Sequence, residues 1–477
     1  MLLVISTDKS ECPNMRTGWQ WKVNFSHAVL TVCITCPLFD HRLISHILAR
    51  QKVGNSKSDT FGLVIVPSRS SAKEIASLCN VTQGPSRLAV DTIFIPDDLL
   101  AKRGKGIRIT TSNCLLAALR KDVEKSWLLD LRIVLCDNLE LLDADYELAV
   151  SLLVYQTQRL PVRFVGLSSC LNDPTDLARW LHIPPQRLFS FRPSDREQSL
   201  TSKTVSFTTR HSAALFEAMT KPAHAAIREA GADQSAMLFV PSRNQCHSVA
   251  AHLITQCAVD IDTRAFLGCG ASPEDVEVYL SRLHNSALSN LVSHGIGVFH
   301  EGVHRADRAL MLQLYLEGII RVLIVPREAC WTVPVRASVT IVMGTQYVSV
   351  VHESDRQLRE YSIQEIAKMQ ACAVKPGEPS TFYLFCQAEQ RDTFLRFLDE
   401  GLPLESGLLD SEVLKVWLQY MRRAGAIVSK QDCVDALSFT YFGWRLETNP
   451  LYYDAVPGRK EQDISRYVDR LWAAMEV

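Results

Sequence analysis

Residues 294–348 contain the pattern that most restricts how this chain can fold. An apolar run at residues 296–299 is followed by a loop and by apolar side chains at helical spacing, with Gln313 and Glu317 on the opposite face. The predicted apolar face consists of Met311, Leu312, Tyr315, Leu316 and Ile319. Gly318 stands where a helix C-terminus favours glycine, and further apolar runs follow at residues 322–325 and 339–343. The segment therefore predicts an α/β unit with buried strands.

The same alternation of apolar runs and helical patterns extends along most of the chain. In the first half, apolar runs lie at residues 29–34, 61–66, 92–95, 107–110, 133–136 and 164–167. A charged, proline-containing stretch at residues 191–198 predicts a hinge, and a second α/β set follows it. From about residue 405 the pattern becomes helical. Strands that alternate with helices predict mostly parallel sheets covered on both faces.

Composition limits the possible classes of protein. A chain of 477 residues is long enough for about three domains at roughly 100–200 residues each. The formal net charge of -1 excludes a broad basic field, so nucleic-acid binding would need a local patch. The longest apolar run, residues 27–39, is shorter than the ~20 residues that a membrane-spanning helix needs, so we expect no membrane association. Cysteines inside apolar runs, such as Cys136 and Cys386, are typical of a reducing compartment.

Four stretches resemble one known family. They are HEGV at residues 300–303, IVPREACWTVPVRA at 324–337, GLPLESGLLD at 401–410 and FTYFGWRLETNPLYY at 439–453. These stretches resemble superfamily 2 DExH-box RNA helicases built from tandem cassettes, the type known from pre-mRNA splicing. The resemblance covers residues 21–477. Within this family, the chain resembles a C-terminal cassette with degenerate motifs.

The resemblance implies an α/β fold with two RecA-like parallel-sheet lobes and a mostly helical winged-helix domain. The expected boundaries are a leader at residues 1–20, lobe 1 at 21–198, lobe 2 at 199–402 and the winged-helix domain at 403–477. Members of the family use ATP and Mg²⁺ to unwind RNA, so the resemblance also implies where those cofactors would bind.

The phosphate-binding position of the family falls on residues 33–40, and the glycines and lysine that hold phosphate are missing there. The residues at this position include Cys33, Thr35, Cys36, Phe39 and Asp40. Phe39 stands in the position of the lysine, and the carboxylate of Asp40 would repel a phosphate. We therefore expect no ATP cofactor and no cofactor-binding residues.

The catalytic positions are also changed. After the apolar run at residues 133–136, Asp137 retains a group able to bind Mg²⁺, or serves as an ordinary strand-end cap. Asn138 replaces the carboxylate that orients water, and Glu140 stands in a different place. The two arginine-finger positions carry Cys372 and Lys375, and loss of an arginine finger alone costs about 10³–10⁵ in rate. We therefore predict no catalytic residues, only degenerate remnants.

Positions that contact RNA in the family are better preserved. The candidates for nucleic-acid binding are Arg69, Thr110, Thr111, Ser242 and Arg243. Such side chains on loops suit contacts with phosphate and sugar. Ordinary turn and cap chemistry is the alternative for each of them.

Two other chemistries are alternatives to the helicase interpretation. Cys33 and Cys36 have the spacing of a redox pair, but the surrounding chain is far larger than a thioredoxin-like fold. A structural zinc site needs four ligands, and no second cysteine or histidine pair accompanies the first. His294, His300 and His304 are interpreted as loop histidines, so no metal site is predicted.

The function predicted from sequence is a degenerate RNA-helicase cassette that serves as a protein-interaction and scaffold module. The expected partners are other proteins of a nuclear RNA-processing complex, together with RNA, and the resemblance implies that this complex is spliceosomal. The alternatives are an ATP-dependent RNA helicase and a passive single-stranded nucleic-acid binder.

Overall fold

The computed structural model describes most of the chain outside residues 33–59 and several shorter stretches. The described residues are 3–6, 21–25, 28–32, 60–82, 89–121, 126–169, 171–192, 200–209, 212–231, 233–262, 264–268, 273–352, 355–373, 379–409, 412–423, 425 and 427–476. The chain divides into two compact units, one formed by Met1–Asp195 with Glu400–Val477 and the other by Arg196–Asp399. None of the helices in these described ranges is both long and apolar enough to cross a membrane.

The first unit is built on a seven-stranded sheet. Its strands are β1 (Leu3–Ser6), β4 (Phe61–Val66), β5 (Ala89–Ile93), β6 (Gly106–Thr111), β7 (Leu131–Cys136), β8 (Arg163–Ser168) and β9 (Leu188–Phe189), in the order β5-β6-β4-β7-β8-β1-β9. Strands β4 to β8 are parallel, and β1 is antiparallel to both of its neighbours. All six residues of β4 are buried, which explains why this strand is a continuous apolar run in the sequence.

Helices surround this sheet and continue into the C-terminal part of the chain. Those before the hinge are Arg69–Thr82, Pro96–Ala101, Ser112–Lys121, Ala144–Thr157 and Thr175–Trp180, with 3-10 turns at Ser126–Asp130, Leu139–Leu141 and Pro185–Arg187. The C-terminal helices are Glu412–Arg423, Lys430–Ser438, Tyr441–Thr448 and Lys460–Glu476, with a 3-10 turn at Pro450–Tyr453. The C-terminal segment is thus helical where the structure describes it, and its assignment as a winged helix stays a prediction.

The start of the chain differs from expectation. Residues 3–6, in the predicted leader, form β1 of the sheet. The prediction that residues 29–34 contribute a strand to the parallel sheet is wrong for the described residues. Strands β2 (Trp21–Phe25) and β3 (Ala28–Val32) instead form a separate antiparallel pair. Only two residues separate them in the sequence, and such a short separation favours pairing between adjacent segments.

The second unit contains a six-stranded sheet that is parallel throughout. Its strands are β10 (Leu200–Phe207), β11 (Ala236–Val240), β12 (Ile296–Val298), β13 (Val322–Pro326), β14 (Val339–Met343) and β17 (Ser380–Gln387), in the order β10-β17-β14-β11-β13-β12. Alternate residues of β11 belong to two different cores: Leu238 and Val240 pack on one face, Met237 and Phe239 on the other. This confirms a sheet covered on both faces.

The remaining elements of the second unit are helices and one hairpin. The helices are Ser212–Glu229, Arg243–Val259, Pro273–Leu280, Ser286–Ser293, Arg305–Leu316, Ile363–Ala371 and Arg391–Glu400, with 3-10 turns at Arg327–Trp331 and Ala388–Gln390. Strands β15 (Gln346–His352) and β16 (Asp355–Glu360) form an antiparallel pair that was not predicted.

Helix Arg305–Leu316 corrects one detail of the predicted apolar face. Met311 and Tyr315 are buried as expected, but Leu316 is 72% exposed. The buried face runs through Leu310 and Leu314 instead. Gly318 has a φ of +73°, which fits its predicted place just after the helix.

Candidate functional site

The predicted site residues of the first unit follow the carboxyl ends of its parallel strands. Arg69 follows β4, Thr110 and Thr111 end β6, and Asp137 and Asn138 follow β7. Carboxyl ends of parallel strands meet at one edge of a sheet, where α/β proteins bind ligands. The structure therefore brings these five residues to a common edge.

The loop after β7 is closed by a hydrogen-bonded carboxylate. Asn138 adopts a left-handed conformation with a φ of +55°, and its side-chain Nδ2 donates to Oε1 of Glu140 over 3.3 Å. The Glu140 carboxylate also accepts hydrogen bonds from the backbone N–H and the hydroxyl of Ser169, at 3.0 and 2.9 Å. Glu140 is buried, so its carboxylate ties the loop after β7 to the loop after β8.

Buried hydrogen bonds hold the backbone at this edge of the sheet. The Asp137 N–H donates to the carbonyl of Ile65 over 3.0 Å. The Tyr146 hydroxyl lies 2.9 Å from the Ile65 carbonyl and 2.8 Å from that of Asp137. Burial, with nearby negative groups, raises the pKa of Tyr146 well above its usual value, so the hydroxyl remains a donor. Asp137 itself is buried at the end of its strand.

These residues do not fit a Mg²⁺-nucleotide site. Hydrolysis needs a metal-binding carboxylate and a second carboxylate to orient water. The neutral amide of Asn138 stands beside Asp137, and the Glu140 carboxylate is occupied by Ser169. In the second unit, the Cys372 thiol is buried and donates to the carbonyl of Lys368 over 3.5 Å. Lys375 and residues 33–40 lie outside the described residues.

The nucleic-acid-binding candidates of the first unit differ in their burial and in the contacts that their side chains already make. The Thr110 hydroxyl is buried and donates to the Ile93 carbonyl over 2.8 Å. Thr111 accepts a weak hydrogen bond from the Cys114 N–H at 3.4 Å. The Thr111 contact is the cap and turn chemistry given above as the alternative, whereas the Thr110 hydroxyl bonds to the paired strand β5. Arg69 is exposed, with its guanidinium 5.2 Å from the centre of the Phe94 ring.

Ser242 and Arg243 follow β11 in the second unit. The Ser242 hydroxyl lies 3.0 Å from Oε1 of Gln245. Arg243 forms an ion pair with Glu328, and its Nη2 lies 3.7 Å from Oε2 of Glu301. Two carboxylates therefore oppose the positive charge that a phosphate would contact.

Of the three histidines named in the sequence analysis, His300 and His304 line one cavity and His294 does not. Nδ1 of His294 lies 2.8 Å from the Asn290 carbonyl, and Nδ1 of His300 accepts from the Gly302 N–H at 3.0 Å. Burial, with the nearby Arg243 charge, lowers the pKa of His300.

A different set of residues gathers around His304. His284, His304 and Asp307 place one ligand atom each within 4.8 Å of one another. Burial raises the pKa of Asp307, but hydrogen bonds from His284 outweigh burial and hold this pKa below its usual range. His284 and Asp307 are 23 positions apart, so no local sequence pattern could have revealed the cluster; the spacing of His304 and Asp307 within one helical turn was the available signal.

Two mostly parallel sheets packed with helices, followed by a helical segment, define the RecA-like α/β class. No family model matches the chain. The chain is 32% identical over 321 residues, 65% of its length, to the human U5 small nuclear ribonucleoprotein 200 kDa helicase. It is 30% identical over 356 residues, 73% of its length, to subunit 3 of the mouse activating signal cointegrator 1 complex.

The matches confirm the resemblance found in the sequence. This chain belongs to the tandem-cassette DExH-box RNA helicases. The matched stretch spans 14% of the human relative's length and 16% of the mouse relative's length. The fold of the two lobes agrees with this family assignment.

Proposed function

We propose that this chain is a catalytically degenerate RNA-helicase cassette that acts as a protein-interaction and scaffold module. The loop after β7 carries this proposal: Asn138 replaces the water-orienting carboxylate, and the nearby Glu140 is held by Ser169. The groups that carry out phosphoryl transfer act as a unit, so loss of one of them removes most of the rate. We therefore infer that these changes, with the sequence at residues 33–40, abolish ATP hydrolysis.

The names of the relatives support a role for this chain within a multiprotein assembly. One relative is a helicase of the U5 small nuclear ribonucleoprotein, and another is a subunit of a cointegrator complex. Both names describe members of an assembly, one a ribonucleoprotein and the other a multisubunit complex. By extension, the partners of this chain are proteins of a nuclear RNA-processing complex of the spliceosomal kind, with RNA as a further partner.

Titration calorimetry with Mg-ATP tests the loss of the nucleotide site. We expect no binding heat, because the residues at the phosphate-binding position lack glycine and lysine. A dissociation constant below about 100 μM, equivalent to roughly -5.5 kcal/mol, would contradict the proposal.

Two further measurements separate the proposed role from its alternatives. RNA-stimulated hydrolysis would identify an ATP-dependent helicase, the activity that the name of the human relative carries. Salt-sensitive RNA binding without nucleotide, and without copurifying proteins, would identify a passive single-stranded nucleic-acid binder. Copurification from nuclear extract, followed by mass spectrometry, should instead recover proteins of an RNA-processing complex with the wild-type chain.

A further inference from the structure

A cluster of two histidines and one aspartate lies in the second unit and includes none of the strand-end residues discussed above. His284 precedes helix Ser286–Ser293, whereas His304 and Asp307 lie at the start of helix Arg305–Leu316. The two imidazole rings have centroids 4.7 Å apart. Nδ1 of His284 lies 2.8 Å from Oδ1 of Asp307.

Asp307 is an unusual residue for a helix start because its side chain is 1% exposed. Its Oδ1 also accepts a hydrogen bond from the backbone N–H of His284, at 3.1 Å. Its Oδ2 is buried and has no hydrogen-bond partner among the described residues. A buried carboxylate oxygen without a partner is costly, which points to a ligand that satisfies it.

The cluster borders a cavity of about 330 Å³. Asn285, His247 and His300 also line this cavity, so it is rich in imidazole groups. The His284 and His304 side chains are exposed, and the His284 ring is oriented by its hydrogen bond to Asp307. The cavity thus combines one buried carboxylate with two exposed imidazole groups.

We propose that His284, His304 and Asp307 bind one Zn²⁺ ion, with two imidazole nitrogens and one carboxylate oxygen as protein ligands and water in the fourth position. Imidazole ligands favour zinc over Mg²⁺ or Ca²⁺, which select oxygen ligands. Zn–N and Zn–O bonds of about 2.0–2.1 Å in a tetrahedron place ligand atoms roughly 3.4 Å apart. The ligand atoms lie within 4.8 Å of one another, so they must approach by up to about 1.4 Å, which requires rotation of the two exposed rings.

Metal binding also accounts for the protons. Zn²⁺ binds the neutral form of an imidazole, so when Nδ1 of His284 binds the ion, the ring carries its proton on Nε2, and a proton is released to solvent only from a histidine that was charged beforehand. The ion links the loop before helix Ser286–Ser293 to the first turn of helix Arg305–Leu316. Its role in the chain is therefore to join two segments of the second unit, independently of nucleotide chemistry.

The test measures Zn²⁺ binding to the full chain by competition with a chromophoric chelator at fixed neutral pH. We expect one equivalent to bind with micromolar or tighter affinity. His304→Ala should weaken this binding by at least about 100-fold, because it removes a ligand and not merely an outer hydrogen-bond partner. The His304 side chain makes no cap hydrogen bond, so this variant should fold normally.

Two further variants make the outcome decisive. Asp307→Asn keeps the shape of the side chain and should also abolish the one-equivalent site. His252→Ala removes an exposed histidine of the same unit that does not line the cavity, and should bind Zn²⁺ as the wild type does.

Replacement of Zn²⁺ by Co²⁺ identifies the ligand atoms. The chain has 14 cysteines, and a thiolate site would show an intense near-ultraviolet charge-transfer band. The proposed site should show tetrahedral visible bands without that thiolate band. Absence of a saturable site in the wild type, a thiolate spectrum, or equal affinity in wild type and His304→Ala would overturn the proposal.

Discussion

At the end of β7, the Asn138 side chain is an amide that donates to Glu140, and it does not offer a carboxylate that could orient water. Restoring a carboxylate with Asn138→Glu should leave hydrolysis at background, since a water-orienting group acts only on a phosphate that is already held. The added charge would also face Glu140, whose Oε1 lies 3.3 Å from the Asn138 amide nitrogen. We expect Asn138→Glu to be less stable than Asn138→Gln by about 1 kcal/mol.

An ATPase assay with RNA and chemical unfolding of the two variants check this prediction. Asn138→Gln is the matched control because it has the same length as glutamate without the charge. Hydrolysis above background in Asn138→Glu would show that the phosphate-binding position is functional after all.

Glu147 is a buried carboxylate that contacts the C-terminal segment. It is 0% exposed and accepts hydrogen bonds from the Ser406 hydroxyl at 2.6 Å and the Phe442 N–H at 2.7 Å. Burial raises its pKa from 4.5 to about 7, although these hydrogen bonds oppose the shift. A folded-state pKa above the unfolded value means that protonation favours the folded state.

The free energy of unfolding should therefore decrease as the pH rises from about 4.5 through about 7. The decrease due to this group is up to about 3 kcal/mol. Urea unfolding of the wild type and of Glu147→Gln at several pH values tests this, because glutamine cannot ionise. The difference between the two should change with pH in this range, and parallel pH profiles would show that Glu147 does not titrate as expected.

At the scale of elements, β7 is the strand on which the first unit depends. Val134 is fully buried and pairs with Leu63 of β4 on one side and Phe164 of β8 on the other. Val134→Asp would bury a charge in this core and should cost more than about 4 kcal/mol. Circular dichroism and thermal unfolding should show that this unit no longer folds.

Val134→Ala is the matched control for this strand. It removes the same branched side chain without adding a charge, so it should remain folded with a loss of about 2 kcal/mol. Recovery of soluble Val134→Asp protein that melts as cooperatively as Val134→Ala would contradict a central position for β7.

Fully buried strands could be predicted from the sequence with close bounds, whereas strands with exposed residues were shifted or missed. Strand β4 was predicted with its observed bounds because burial on both faces requires an uninterrupted apolar run. Strand β10 was not predicted, because its mostly exposed polar residues at an edge of the sheet give no continuous apolar run. Strand β1 pairs with β8, which lies far away in the sequence, so no local pattern predicted it.

At the candidate site, the sequence predicted which residues follow a strand but not which side chains contact each other. The sequence located Asp137 and Asn138 at the end of a strand, because polar residues directly follow a buried run. The engagement of Glu140 by Ser169 joins residues 29 positions apart and depends on two parallel strands lying side by side. Contacts of this kind require the topology of the sheet and are not encoded in local periodicity.

At the scale of the whole molecule, Arg445 anchors the C-terminal helical segment to the first lobe. Its Nη1 lies 2.7 Å from Oδ2 of Asp176, which is 1% exposed, and its Nε donates to Glu405 over 3.0 Å. Asn449 and Tyr453 each donate to the same Glu405 carboxylate over 2.8 Å. The RLETNPLYY stretch that carried the family resemblance thus supplies this network. The C-terminal segment and the first lobe form one compact unit.

Arg445→Ala should release the C-terminal segment from the first lobe. The change leaves the buried Asp176 and the half-buried Glu405 without their shared cation, and loss of one partner from a buried ion pair costs about 3–5 kcal/mol. Limited proteolysis should separate a C-terminal fragment from this variant faster than from the wild type.

Arg459→Ala is the control, because Arg459 is an exposed arginine of the same segment. A scaffold that presents both parts to a partner as one body needs this anchor, so Arg445→Ala should also reduce copurification of partner proteins. Cleavage and copurification equal to those of Arg459→Ala would show that the segment is held by its apolar contacts alone.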